Sequence, residues 1–354
     1  MKSIPGNLPD SAYYAMLKKE IRKASIRPNE CLLGLNSCPK AINSHSIPES
    51  LLNCLAQNGH VLGFPELNFR DQQKIWEGGL WRPSPIGIGK ASTFRGFCKA
   101  HDNKFFEAIE RRDVTPTVRQ SFLFHFRAAC HALYQNISFE HVTNLMLTAR
   151  TADNHNPYAV REEIARLREH QRSSFDNQRR KVDAMKSSLL QDVVPVFDCL
   201  CVRVDCVPDI LCSSLFVPVA DLNGKFLLSF LSDDALDACQ EMAITISKDS
   251  IGGFILISWR SEDLLPRLFV ESFVEHECNL DELVQLVFRS TSNFFFSERW
   301  WKSLPNGTRD HLCRLATEKL VPFSKRNFDE VSKQLRNNLS LVDSTIVSVK
   351  KYLS

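Results

Sequence analysis

Two short segments, far apart along the chain, constrain it most. Cys31-Leu-Leu-Gly-Leu-Asn-Ser-Cys38 runs into Pro39 as a turn-rich loop, and Cys98-Lys-Ala-His101 opens a stretch with helical periodicity. Thiolates and a neutral imidazole are the ligands zinc takes in a closed tetrahedral site. A Cys-x-x-His at the start of a helix puts both side chains on one face of its first turn. The six residues between Cys31 and Cys38 exceed the roughly two to four usual for such a pair, which makes it the less regular half. If Cys31, Cys38, Cys98 and His101 share one Zn²⁺, the chain between them must return to its starting point, forming a small metal-stapled module.

The remaining cysteines invite a different reading. The chain has 354 residues and 12 cysteines, too long and too sparsely marked for a disulfide scaffold, so most cysteines are expected to be reduced and buried. Cys199-x-Cys201, with Cys206 and Cys212 nearby, is read as small core residues on strands rather than a second metal site. No apolar run approaches the roughly 20 residues that span a bilayer. The N-terminus lacks the apolar core of a secretory signal, so a cytoplasmic protein with no membrane partner is expected. A net charge of +3 does not by itself point to nucleic acid.

Along the chain, the spacing predicts an amphipathic helix over 10–25, capped by Asp10 or Ser11, with Lys18, Lys19, Arg22 and Lys23 on its solvated side. A short helix over 49–57 and a turn at Asn58-Gly59-His60 lead into a strand at Val61-Leu62. Residues 63–95, rich in glycine and proline, read as loop. Ile86-Gly-Ile-Gly-Lys90 lacks the spacing of a phosphate loop and is not read as one. Helices are expected over 98–112, 117–135 and 138–150, with His125 and His131 as core or surface residues. The polar run 157–190 reads as a long exposed helix or helical hairpin, a surface for a second copy or another protein.

Near Asp192 the periodicity changes to two. Strands are expected within 192–207, at 211–220, 225–231, 242–247 and 253–259, with Asn223-Gly224 as a hairpin turn. Helices are expected at 264–273, 281–296, 298–301, 310–320 and 327–352, with Phe294-Phe295-Phe296 and Trp300-Trp301 in their packing core.

Ser44-His45-Ser46-Ile47-Pro48 lies between the two halves of the metal motif, and Asp102-Asn103-Lys104 follows the second half. Together these words resemble the HNH endonuclease family over about 80 residues, the N-terminal quarter of the chain. They are also similar to bacterial proteins of unassigned role that share Ser-His-x-Ile-Pro and Phe-Cys-x-x-His-Asp words, which imply no activity. The HNH resemblance implies a treble-clef-like fold around structural zinc, with His45 as the general base that activates water. It further implies Asn58 or His60 in the middle position, Asp102 as ligand to a catalytic Mg²⁺ or Mn²⁺, and Lys104 and Arg95 against a DNA or RNA backbone. Ser44 departs from the pattern, since the family places Asp, Glu or His before the base. Zinc-ligating, loop-locking and simply hydrogen-bonded roles for His45 therefore stay open.

The expected class is α+β: a zinc-stapled, treble-clef-like module at 1–112, a helical region at 113–191, and a domain at 192–354 with an antiparallel sheet and packed helices. The functional expectation is a zinc-binding, HNH-like protein that cuts or senses nucleic acid. The alternative is a non-enzymatic interaction protein in which zinc serves only as a staple.

Overall fold

The computed structural model describes residues 30–34, 38–65, 74–75, 77–110, 116–148, 157–230, 240–318 and 339–353. The helix expected at 10–25 lies outside them. In the first third are β1 (Ser44–His45), α1 (Glu49–Leu55), β2 (His60–Gly63), β3 (Ser84–Gly87), β4 (Thr93–Phe94) and α2 (Lys99–Glu110). Two long helices follow, α3 (Val118–Thr148) and α4 (Pro157–Leu190). The rest comprises β5 (Phe197–Val204), β6 (Ile210–Phe216), β7 (Met242–Lys248), β8 (Gly253–Arg260), α5 (Leu264–Glu275), α6 (Leu280–Ser290), β9 (Phe294–Phe296), α7 (Glu298–Ser303), α8 (Asn306–Glu318) and β10 (Ile346–Tyr352).

Eight strands form one sheet in the order β10-β5-β8-β7-β6-β9-β2-β3, antiparallel throughout. Successive strand residues point to opposite faces, and here both faces are covered, so the strands read as nearly unbroken apolar runs. On β5, Leu200, Val202 and Val204 join the core built with α5, α6, α7 and α8. Phe197, Cys199 and Cys201 of the same strand join the opposite core, built with α2, α3 and α4. The fold is thus mixed α and β, with helices on both faces of an antiparallel sheet.

Several elements differ from expectation for physical reasons. Residues 63–95 are not all loop: β3 pairs with β2 in a hairpin, and β4 pairs with β1. The helices expected at 117–135 and 138–150 are one, because Asn136 sends its amide to Gln178 Oε1 at 2.6 Å instead of competing for the backbone. The helix expected to reach residue 296 stops at Ser290, and Phe294–Phe296 is a buried strand between β6 and β2. Three consecutive aromatics have no helical period, but they suit a strand covered on both faces.

The helix expected to end at Tyr352 is replaced over Ile346–Tyr352 by an edge strand on β5, as the β-branched run Ile-Val-Ser-Val favours. The strand expected at 225–231 is reduced to a bridge between Ala220 and Phe226 and a 3₁₀ turn at Leu227–Phe230. The intervening turn does form, with Gly224 at φ 82°.

The sheet takes strands from residues 60–87 as well as 197–352. A buried polar chain strengthens this tie. Asn293 donates from Nδ2 to Ser46 Oγ at 2.7 Å and to the Ser213 carbonyl at 2.6 Å. Ser46 and Ser92 share a 2.6 Å hydroxyl contact, and the Ile47 N–H donates to Ser92 Oγ at 2.7 Å. Asn293→Ala would leave two buried acceptors without their donor, at a cost of about 2–4 kcal/mol. Urea unfolding is expected to show that loss, whereas exposed Lys350→Ala stays within about 0.5 kcal/mol of the parent protein.

Candidate metal centre

The first half of the centre is a loop laid against an extended segment. The Leu32 N–H donates to the Gly96 carbonyl at 2.7 Å, and the Ile42 N–H donates to the Phe97 carbonyl at 2.8 Å. The Gly34 N–H closes a turn on the Cys31 carbonyl at 2.7 Å, so tightly that a Cβ at Gly34 would sit 2.7 Å from that oxygen. The second half is the start of α2. The Asp102 N–H donates to the Cys98 carbonyl at 2.9 Å, which places Cys98 at the helix mouth and His101 in the first turn. The N-terminal end of a helix dipole favours a thiolate there.

These two halves bring together all four candidate ligands. His101 Nδ1 lies 3.4 Å from each of three sulfurs, those of Cys31, Cys38 and Cys98. All four ligand atoms fall within 4.8 Å of one another. A single ring nitrogen can direct its proton at only one sulfur, so three equal contacts are not three hydrogen bonds. With zinc–sulfur bonds of about 2.3 Å and a zinc–nitrogen bond of about 2.0 Å, a tetrahedron has a sulfur–nitrogen edge of about 3.5 Å. The set therefore fits a closed tetrahedral site and could hold a metal ion, consistent with zinc.

Protonation bears on that fit in two ways. Burial pushes the Cys31 thiol up to about 11, so it stays neutral unless a cation holds it as thiolate. Burial, then the charges of Lys104 and Lys186, lower the His101 pKa, which keeps the imidazole neutral and able to ligate. Behind the site, Phe97, Phe106, Phe126 and Cys130 form an apolar wall. Cys130 is fully buried and is not one of the four ligand residues. Burial, and secondarily Cys31, push its thiol well above the ordinary range.

The other candidate residues are held by partners of their own, and Asp102 also faces Ser44, the residue before His45. His45 is half-buried on β1, opposite Thr93, with Nε2 3.3 Å from the Ile88 carbonyl. That oxygen can only accept, so Nε2 carries the proton and Nδ1 is the basic nitrogen. His60 is exposed at the start of β2 and bonds the Asn58 carbonyl through Nδ1 at 2.8 Å. Asn58 and Gly59 form the left-handed turn before it, at φ 51° and 74°. Arg95 Nε donates to Asn43 Oδ1 at 3.1 Å, and Lys104 lies over the Phe105 ring at 5.1 Å. Among the described residues, no second cluster of three or more metal-type ligands draws His45, His60 and Asp102 together.

Asp102 has a different partner. Arg127 on α3 is 2% exposed and reaches Asp102 Oδ1 at 3.4 Å and Glu110 Oε1 at 2.5 Å. Its guanidinium lies 4.6 Å from the centre of the Phe106 ring. Burial raises the Asp102 pKa, Arg127 pulls it down, and Glu110 adds a smaller push upward. Arg127 escaped the sequence reading, although an arginine inside the apolar run from Phe122 to Leu133 was its signal.

Cys199, Cys201 and Cys212 are buried in the cores flanking the sheet, as expected for small core residues, but Cys206 is only half-buried and lies against Ser344 Oγ at 2.7 Å. Comparison with protein families, with curated proteins and with solved structures found no match.

The purified protein is expected to carry one zinc per chain by elemental analysis. Cys98→Ser and His101→Ala should each weaken zinc binding more than about 100-fold, beyond the effect of losing a residue that only hydrogen-bonds a ligand. Cys130→Ala should retain the metal.

Proposed function

We propose that this is a non-enzymatic, zinc-stapled binding protein in which the metal holds Cys31 and Cys38 against the start of α2. The observation that carries this reading is the engagement of the other candidate residues. Asp102 is taken up by the buried Arg127, and His45 is anchored to the Ile88 backbone carbonyl. A catalytic Mg²⁺ or Mn²⁺ site would need that carboxylate released beside the histidine. Zinc contributes no chemistry in this reading; Cys31, Cys38, Cys98 and His101 would bind it, and it would lock the module against α3. The polar helix α4 is the surface we assign to a protein partner or a second copy. No described helix is long and apolar enough to cross a membrane.

A second reading, an HNH-like endonuclease, is favoured by the order of elements. A cysteine loop, the β1–β4 pair carrying His45, and a helix opening with Cys98 and His101 follow one another in the treble-clef-like sequence that the resemblance implies. In that reading the basic nitrogen of His45 takes a proton from water, while Arg95 and Lys104 contact the nucleic-acid backbone.

Incubation of zinc-loaded protein with supercoiled plasmid and single-stranded RNA, in Mg²⁺ or Mn²⁺, separates the two. The staple reading predicts no cutting. Cutting that disappears in His45→Ala, with zinc retained, would establish the nuclease.

A further inference from the structure

A small cavity of about 10 Å³ lies where α4 meets the ends of β7 and β8, the size of a single water molecule. Lys181 of α4, Glu241 just before β7, Asp263 just before α5 and Arg260 at the end of β8 line it, with His125 and Gln178. Lys181 Nζ lies 4.0 Å from Glu241 Oε2, and neither side chain is more than 16% exposed. Asp263 is 7% exposed, and its buried Oδ2 has no hydrogen-bond partner among the described residues.

The orientation of Asp263 is informative. It stands at the N-cap of α5, where an aspartate ordinarily accepts backbone N–H groups of the first turn, yet its side chain makes no such bond. Gln240 Oε1 instead accepts the Leu265 N–H at 2.8 Å, and residue 266 is a proline with no N–H to offer. The cap has been handed to Gln240, and the Asp263 carboxylate is turned into the cavity beside Glu241 and Lys181.

Arg260 is paired with Glu262 at the surface. His125 accepts no proton at physiological pH: burial lowers it to about 3, and its Nδ1 donates to the Ser258 carbonyl at 3.1 Å. Two carboxylates therefore face one buried lysine. Two like charges this close ionise together only at a cost, which a shared proton removes.

We propose that Lys181, Glu241 and Asp263 form an internal proton-binding site that sets how firmly α4 is held against the sheet. Burial pushes Glu241 up to about 7, against the pull of Lys181 and with the push of Asp263. Burial also raises Asp263, against Lys181 and Arg260. A carboxyl that binds its proton more tightly when folded contributes most below its unfolded value of 4.5, and that contribution is lost as pH rises through about 7. The hold on α4 is thus tightest at and below about pH 4.5, weakens as pH rises to about 7, and levels off above neutrality.

The test is backbone hydrogen exchange in residues 178–190 of the zinc-loaded, full-length protein from pH 5 to 8, corrected for intrinsic exchange. Parallel ¹³C NMR would follow the carboxyl carbons. The site predicts protection that falls with rising pH by up to about tenfold per unit. It also predicts a Glu241 or Asp263 carboxyl midpoint near neutrality, and loss of the pH dependence in Glu241→Gln. Flat protection in the parent protein, carboxyl midpoints for both residues below 5, or an unchanged pH dependence in both Glu241→Gln and Asp263→Asn would each overturn it. The NMR readout holds even if a variant folds poorly.

Discussion

Three cysteine sulfurs and one imidazole nitrogen gathered in an apolar pocket have little reason to stay together without a cation. Desolvation alone would keep the Cys31 thiol neutral, and neutral thiols attract each other weakly. The equal 3.4 Å spacing of Cys31, Cys38 and Cys98 around His101 Nδ1 suits ligands arranged about one centre. In our reading, the placement of residues 31–34 and 38–42, tied to Gly96 and Phe97 by two backbone hydrogen bonds, and the start of α2 follow from that shared ligation.

The centre is also built into the larger body. Its aromatic wall is continuous with the core between α2, α3, α4 and one face of the sheet. Arg127 clamps both ends of α2 through Asp102 and Glu110. A buried arginine paired with two acids is costly to break, because removing one partner strands a desolvated charge. From the other side, Asn293 ties the residue after His45 to the sheet, and the β2–β3 hairpin extends the sheet itself. The metal module therefore shares a core and a sheet with the C-terminal part of the chain.

Much of this was legible from local pattern. The four candidate ligands were readable from Cys98-x-x-His101 and, less regularly, from the widely spaced Cys31 and Cys38, and the structure brings their ligand atoms within 4.8 Å of one another. The long polar helix ending at Leu190 announced itself by its period, and the strands after Asp192 by their runs of β-branched and apolar residues. What was hidden depended on distant partners. Phe294–Phe296 become a strand because β6 and β2 flank them, and Ile346–Tyr352 because β5 offers an edge. The pairing of Asp102 with Arg127 was invisible for the same reason: the sequence shows a carboxylate after a ligand histidine, and only the packing of α3 on α2 shows where its charge is spent. Asp263 misleads similarly, since its position promises a helix cap that Gln240 supplies instead.

Zinc bound by Cys31, Cys38, Cys98 and His101 has a defined set of neighbours at defined distances. X-ray absorption at the zinc edge of the purified protein reads both. Three sulfurs at about 2.3 Å and one nitrogen at about 2.0 Å are the predicted shell. A shell dominated by oxygen or nitrogen, or no zinc in protein purified without chelator, would contradict it.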